Sequence, residues 1–149
     1  MRRDDRLTLT LHLLLHMAQQ PKRAMTSQEM AVCAQTNPVV VRRALAGLRE
    51  AGIVSSVKGH GGGWGLSRPP AEISLDEVQR ALGVCVVAMT TSDQRPGCLV
   101  EQAVKRALDD AIAEAVRVLD QRLAAITLAD LTADIAHVHG GPFRLRGAS

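Results

Sequence analysis

Three sets of residues in this 149-residue chain have types and spacings that could do chemistry. The first is cysteine. Cys33, Cys85 and Cys98 could serve as thiolate nucleophiles, redox couples or soft metal ligands. Their number is odd and their spacing wide, so they do not form the framework of a small disulfide-stapled fold. The second set is histidine. His12 and His16 lie four apart, which on a helix puts both rings on one face where a divalent cation could bridge them. No third ligand is evident, and His137 and His139 stand near the other end of the chain. We read these histidines as surface or half-buried side chains and expect no metal. The third set is a pair of runs, Thr36-Asn37-Pro38-Val39-Val40-Val41-Arg42-Arg43 and Lys58-Gly59-His60-Gly61-Gly62. Amide and guanidinium groups make paired hydrogen bonds, and the cations attract a polyanion. No Cys-x-x-Cys, nucleophile–base pair or helix-opening Gly-Lys-Ser/Thr loop accompanies them, so we expect no catalysis.

The elements that must hold these residues are mainly helical. Apolar residues make up 46% of the chain, but the aromatic ones are only Trp64 and Phe143. A core of Leu, Val, Ala, Ile and Met suits packed helices better than a β-sandwich. Leu7, Leu11, Leu14, Leu15 and Ala18 predict a helix over 6–19, stopped by Pro21. Thr26 and Glu29 have capping-box spacing and start a second helix, which breaks at Gln35-Thr36. Asn37 is a good N-cap for a third, with Pro38 at its first position and Gly52 to end it. Val41, Ala44, Leu45 and Leu48 of that helix should face the core. Two short β-like runs, 53–58 and 64–67, flank the glycine cluster and read as a hairpin. Ser74 and Glu77 cap a fourth helix that ends near Gly83. Residues 84–97 read as a loop, 98–123 as a long helix, and Thr127 caps a last short one.

Three helices followed by a two-stranded hairpin is the order of a winged helix domain. Its second and third helices form a helix-turn-helix, whose second helix enters the DNA major groove by its N-terminal end. That end carries Thr36, Asn37, Val39, Val40, Arg42 and Arg43. Asn can bond adenine, Arg can bond guanine, and Val can meet a thymine methyl. In the hairpin loop, Lys58 and His60 supply charge or a minor-groove probe, while Gly59, Gly61 and Gly62 let the tip approach a sugar-phosphate wall. Charge agrees. Residues 1–70 hold ten Lys/Arg against four Asp/Glu, and residues 71–149 hold eight against eleven. The basic half is the one to set against a polyanion. The competing readings are a thiol-based redox protein using Cys98 and a helical interaction module with an incidental basic face.

The run from Gly52 to Trp64, with Leu66–Leu75 and Ile126–Leu131, resembles the IscR/NsrR/CymR (Rrf) family of bacterial winged helix-turn-helix regulators, and Thr36–Arg43 is similar to the recognition helix of its YwnA-like branch. The resemblance covers roughly residues 5–133. It implies that Lys58 stands where the family has a basic wing residue. It further implies a homodimer joined through the long helix and a palindromic double-stranded operator. The expected fold class is therefore mainly α with a small β-hairpin wing, a winged helix-turn-helix domain plus a long dimerisation helix. Residues 1–83 are expected to form the DNA-binding domain, 84–97 a loop, 98–136 the dimerisation helix and a short C-terminal helix, and 137–149 a loose tail.

The long helix supports the dimer independently. Val104, Leu108, Ala111, Ala115, Leu119 and Leu123 form a stripe too long to bury on one small domain. The signal is harder to read. The family's best-known sensors carry an iron-sulfur cluster on three closely spaced cysteines before the long helix. This chain departs from that pattern, with twelve residues between Cys85 and Cys98 and only Asp93 between them as a weak ligand. A cluster wants four ligands, mostly thiolates. Only pooling Cys85 and Cys98 from two chains keeps that reading alive, and we expect no cofactor. A thiol switch is favoured, with Cys98 at the start of the long helix and Cys85 as its resolving partner. A small-molecule pocket beside the long helix would leave no motif, so the effector is unassigned. No apolar run is long enough to cross a bilayer and no signal peptide is evident, which predicts a cytoplasmic protein with reduced cysteines.

Overall fold

The computed structural model describes residues 3–83 and 98–139. Helix α1 spans Arg3–Gln19, beginning three residues before the expected start at Arg6. Its inner face buries Leu13, Leu14 and Met17. Helix α2, Ser27–Cys33, opens on the expected capping box. Glu29 N–H donates to Thr26 Oγ1 at 3.1 Å, and Thr26 N–H donates to Glu29 Oε2 at 2.7 Å. That second bond, chiefly, holds the Glu29 carboxyl below its ordinary range, with Arg23 paired to it. Helix α3, Pro38–Glu50, turns Val41, Ala44, Leu45 and Leu48 inward, as the sequence predicts.

The hairpin is antiparallel, β1 Val54–Val57 against β2 Gly63–Leu66, with Val54 opposite Leu66 and Val57 opposite Gly63. Strand β1 is one residue shorter at each end than the run expected from sequence, and β2 keeps the expected length but begins one residue earlier. Met25 joins the hairpin's edge by an isolated antiparallel bridge: its N–H donates to Trp64 O at 2.9 Å, and Trp64 N–H returns a bond to Met25 O at 2.8 Å. Gly63 is needed there, since a Cβ would lie 2.6 Å from Met25 O.

A 3-10 turn, Pro70–Glu72, leads to α4, Leu75–Leu82, capped by Ser74 and Glu77 and stopped by left-handed Gly83. Helix α5, Leu99–Ala125, buries none of its residues. It packs against α4, where Gln79 Nε2 donates to Asp120 Oδ1 at 3.2 Å. Helix α6 spans Leu128–His139 and is longer than the short helix expected. Nothing between Thr132 and His139 breaks a helix, and Gly140 is the first residue that would. Residues 137–139, expected to begin the tail, are therefore helical.

The placement of α6 also differs from the sequence grouping. Leu75 N–H donates to Ile126 O and Leu128 N–H to Ile73 O, each at 3.0 Å. These bonds return the chain to the helix-and-hairpin unit, where α6 packs on α1 and the 3-10 turn. Leu128 is buried in the same cluster as Leu13, Leu45, Ile73 and Val78. One aliphatic core thus joins α1–α4, the hairpin and α6, and α5 alone stands off it. Among the described residues no helix is long and apolar enough to cross a membrane.

Candidate nucleic-acid interface

The outer face of α3 is built by the same periodicity that buries Val41, Ala44, Leu45 and Leu48. Arg42 and Arg43 fall outside, and Val39 is 61% exposed beside them. Val40 and Thr36 are half-buried, and Thr36 N–H is tied to Ala31 O. Asn37 has a different task from the base reading anticipated. Its Oδ1 accepts from Val39 N–H and Val40 N–H, both at 3.0 Å, and so caps the helix. Bidentate adenine recognition needs that same oxygen as an acceptor. The side chains that α3 leaves exposed and uncommitted on this face are Val39, Arg42 and Arg43, with Asn37 holding the helix end on which they sit.

Lys58, Gly59, His60 and Gly61 form the exposed tip of the hairpin. The glycines there have a local cause. Gly59 and Gly61 adopt φ of 102° and 76°, and Gly62 N–H closes the turn on Gly59 O at 3.0 Å. The tip is compact because the turn demands glycine, and that geometry leaves Lys58 and His60 outermost. Val57, passed over in the sequence reading, is 63% exposed at the base of the tip. Strand alternation points to it, since an odd offset from buried Val54 faces outward. Trp64 holds the hairpin in place from below. It is buried, and its Nε1–H donates to Ser27 Oγ in α2 at 3.0 Å.

Arg23, Arg68 and Arg80 pair with Glu29, Glu77 and Asp76. Arg42, Arg43 and Lys58 are exposed and make no ion pair among the described residues, as is also true of Lys22, Arg49, Arg106 and Arg122. What sets Arg42, Arg43 and Lys58 apart is their place, on the outer face of α3 and at the tip of the hairpin.

The sensor residues are less assembled. Cys33 is half-buried in α2, and Cys98 is exposed at the N-cap of α5 without a side-chain cap bond. Cys85 and Asp93 lie outside the described residues. Among the described residues no group of three or more His, Cys, Asp or Glu is placed to hold a metal ion. His12 and His16 do meet, Nε2 to Nε2 at 2.8 Å with their rings at 72°. His16 is more deeply buried than expected, and burial first, then the charge of His12, push it down to about 4.

On α5 the predicted stripe is open at its N-terminal end. Val104 and Leu108 are 53% and 50% exposed, and Ala111 and Ala115 are also exposed. Leu119 and Leu123, further along, are half-buried.

The family model Rrf2, described as an iron-dependent transcriptional regulator, matches residues 3–134. YwnA of Bacillus subtilis (strain 168), named as an HTH-type transcriptional regulator, is 33% identical over 129 residues, which cover 86% of this chain and 95% of YwnA. A crystal structure described as that of a DNA-binding protein is 33% identical, with a TM-score of 0.67, covering 85% of this chain and 97% of its own. CymR, described as the global cysteine regulator of B. subtilis, shares the fold at 23% identity with a TM-score of 0.65, over 87% of this chain and 94% of CymR. With a mainly helical chain, an antiparallel hairpin and a match over nearly its whole length, the protein belongs to the Rrf2 family of winged-helix transcriptional regulators.

Proposed function

We propose that this regulator is a homodimeric repressor that binds a palindromic duplex operator through α3 and the hairpin tip. The observation that carries the reading is the placement of three exposed cations that make no ion pair among the described residues, Arg42 and Arg43 on the outer face of α3 and Lys58 at the hairpin tip. They sit on two elements attached to one core, so they can engage one DNA duplex together. Arg42, Arg43 and Val39 would meet base edges in the major groove, and Lys58 and His60 the adjacent backbone or minor groove. The open face of α5 supports pairing of two copies along Val104, Leu108, Ala111 and Ala115. Such a dimer would set two α3 helices about 34 Å, or a multiple of it, apart on one face of the DNA. An operator occupied in this way would be closed to polymerase.

The test is a gel shift on DNA from upstream of the protein's own reading frame, repeated across salt. Specific binding that weakens steeply with salt is expected. Absence of a specific shift on any genomic fragment would overturn the reading.

We propose control by oxidation at Cys98. The thiol is exposed at the junction of α5 with the preceding segment, where a modification could bias how the dimer helix leaves the reading head. Dilute peroxide would oxidise the thiolate to a sulfenic acid with release of hydroxide, and a second thiol would then condense with it to a disulfide with release of water. Mass spectrometry on peroxide-treated protein should find Cys98 modified, in parallel with altered DNA binding. Iron stands in the family's description, but among the described residues no three His, Cys, Asp or Glu donors come together to hold it.

A further inference from the structure

Two helices of this chain end in the same way, and only one of them uses glycine. At the end of α3, Ile53 N–H donates to Leu48 O at 2.9 Å and Gly52 N–H to Arg49 O at 3.0 Å, with Gly52 at φ 71°. This is the Schellman arrangement, in which the left-handed position is normally glycine because a Cβ is disfavoured there. At the end of α2, Thr36 N–H donates to Ala31 O at 2.9 Å and Gln35 N–H to Val32 O at 3.3 Å. The left-handed residue is now Gln35, at φ 50°, and it alone among the described non-glycine residues has a positive φ. Glutamine lacks the short side chain that lets Asn or Asp tolerate this conformation by bonding to the local backbone.

The Gln35 side chain does not repay this conformation inside the protein. It is exposed, and it makes no hydrogen bond with any described residue. Its position is the turn of the helix-turn-helix, two residues before the cap of α3. The side chain is therefore held, at a conformational cost, beside the end of the helix that enters the groove. The turn's backbone bonds impose this conformation on a residue other than glycine, and its exposed side-chain amide is left available to a partner outside the chain.

We propose that Gln35 is a DNA-contact residue whose side-chain amide donates to a phosphate oxygen at the edge of the groove entered by α3. The inference rests on the DNA-binding reading above. The amide is neutral, so it orients the helix end on the backbone without releasing a counterion. It also divides the work at this helix end. Asn37 uses its amide oxygen to cap the helix, and Gln35 offers its amide nitrogen outward.

The test compares Gln35→Gly, Gln35→Ala and wild type on a duplex recovered by in vitro selection with the wild-type protein, and on a random-sequence duplex. Gln35→Gly should melt at a higher temperature than wild type yet bind the selected duplex about five- to tenfold more weakly. Gln35→Ala keeps the Cβ, so it should lose similar affinity without the gain in melting temperature. Both variants should lose a similar factor on random duplex and keep the wild-type salt slope, because a neutral phosphate contact is blind to sequence. Wild-type affinity in either variant would overturn the proposal, as would a loss confined to the selected duplex. A wild-type protein that selects no duplex would overturn the DNA-binding reading itself, whatever the two variants do to the melting temperature.

Discussion

The indole N–H of Trp64 in the hairpin donates to the hydroxyl of Ser27 in the first helix of the helix-turn-helix, at 3.0 Å and across 37 residues of sequence. Together with the paired backbone bonds between Trp64 and Met25, it locks the hairpin to the segment that launches α2. The two candidate DNA contacts therefore move as one body. Ser27→Ala should leave a buried donor without a partner and lower stability by about 1–3 kcal/mol. DNA affinity should fall as well, although Ser27 itself is not among the contacts proposed. Thermal melting followed by the fluorescence of this single tryptophan checks the first part, and a binding isotherm the second. Unchanged melting and unchanged affinity would show that the bond does not position the hairpin.

Arg43 and Lys58 should fail in different ways. Arg43 lies on the outer face of α3, where a guanidinium can pair with a guanine edge. Arg43→Ala should relax one base position of the operator, by about 1–3 kcal/mol if the contact is bidentate. Lys58 lies at the exposed tip of the hairpin. Lys58→Ala should weaken all duplexes by a similar factor and flatten the salt dependence by about one unit of slope. Titrations on single-base operator variants at several salt concentrations separate the two. Identical behaviour of both variants would contradict the division of roles.

What could be read from the sequence and what could not follow a physical division. Caps and stops are local, so Thr26, Asn37, Ser74 and Gly52 place their helix ends correctly. The buried face of α3 follows from its 3.6-residue period, and the hairpin from its glycine cluster. Side-chain commitment is not local. Whether Asn37 reads a base or caps a helix depends on where its Oδ1 finds donors, and a polar run contains both options. The burial of His16 is equally hidden, because the α1 stripe is broad and His16 sits at its margin. The attachment of α6 to the reading head rests on a backbone bridge between Ser74 and Thr127, more than fifty positions apart, and no periodicity announces such a pair.

Leu108 on α5 is half exposed in a helix none of whose residues is fully buried in its own chain. Leu108→Lys should therefore leave the fold and melting of the reading head nearly unchanged. Placed in a dimer seam, the lysine would bring a desolvated charge against its twin. Sedimentation velocity should show a monomer where the wild type is a dimer. Operator affinity should fall about a hundredfold or more, because two linked half-site contacts become two separate ones. A dimeric Leu108→Lys protein with wild-type affinity would move the interface away from this stripe.

His16 gives the protein a pH dependence of definite sign. In the folded chain its value is about 4, against 6.5 ordinarily, because burial and then neighbouring His12 disfavour the charged ring. The unfolded chain binds the proton first. His16 therefore leaves stability untouched above pH 6.5, erodes it progressively as pH falls from 6.5 towards 4, and adds no further loss below that. The depressed carboxyls of Glu29 and Asp130, each held down chiefly by a backbone hydrogen bond from a capping threonine, lose their contributions only below their ordinary values near 4.5 and 3.8. Between pH 6.5 and 4.5 the histidine should dominate over them. Urea unfolding at intervals across that window should show the midpoint concentration falling as acid is added. His16→Gln, which keeps a hydrogen-bonding side chain but cannot take up a proton, should flatten the decline even if it is less stable at pH 7. A His16→Gln profile as steep as wild type would mean that the acid response arises elsewhere in the fold.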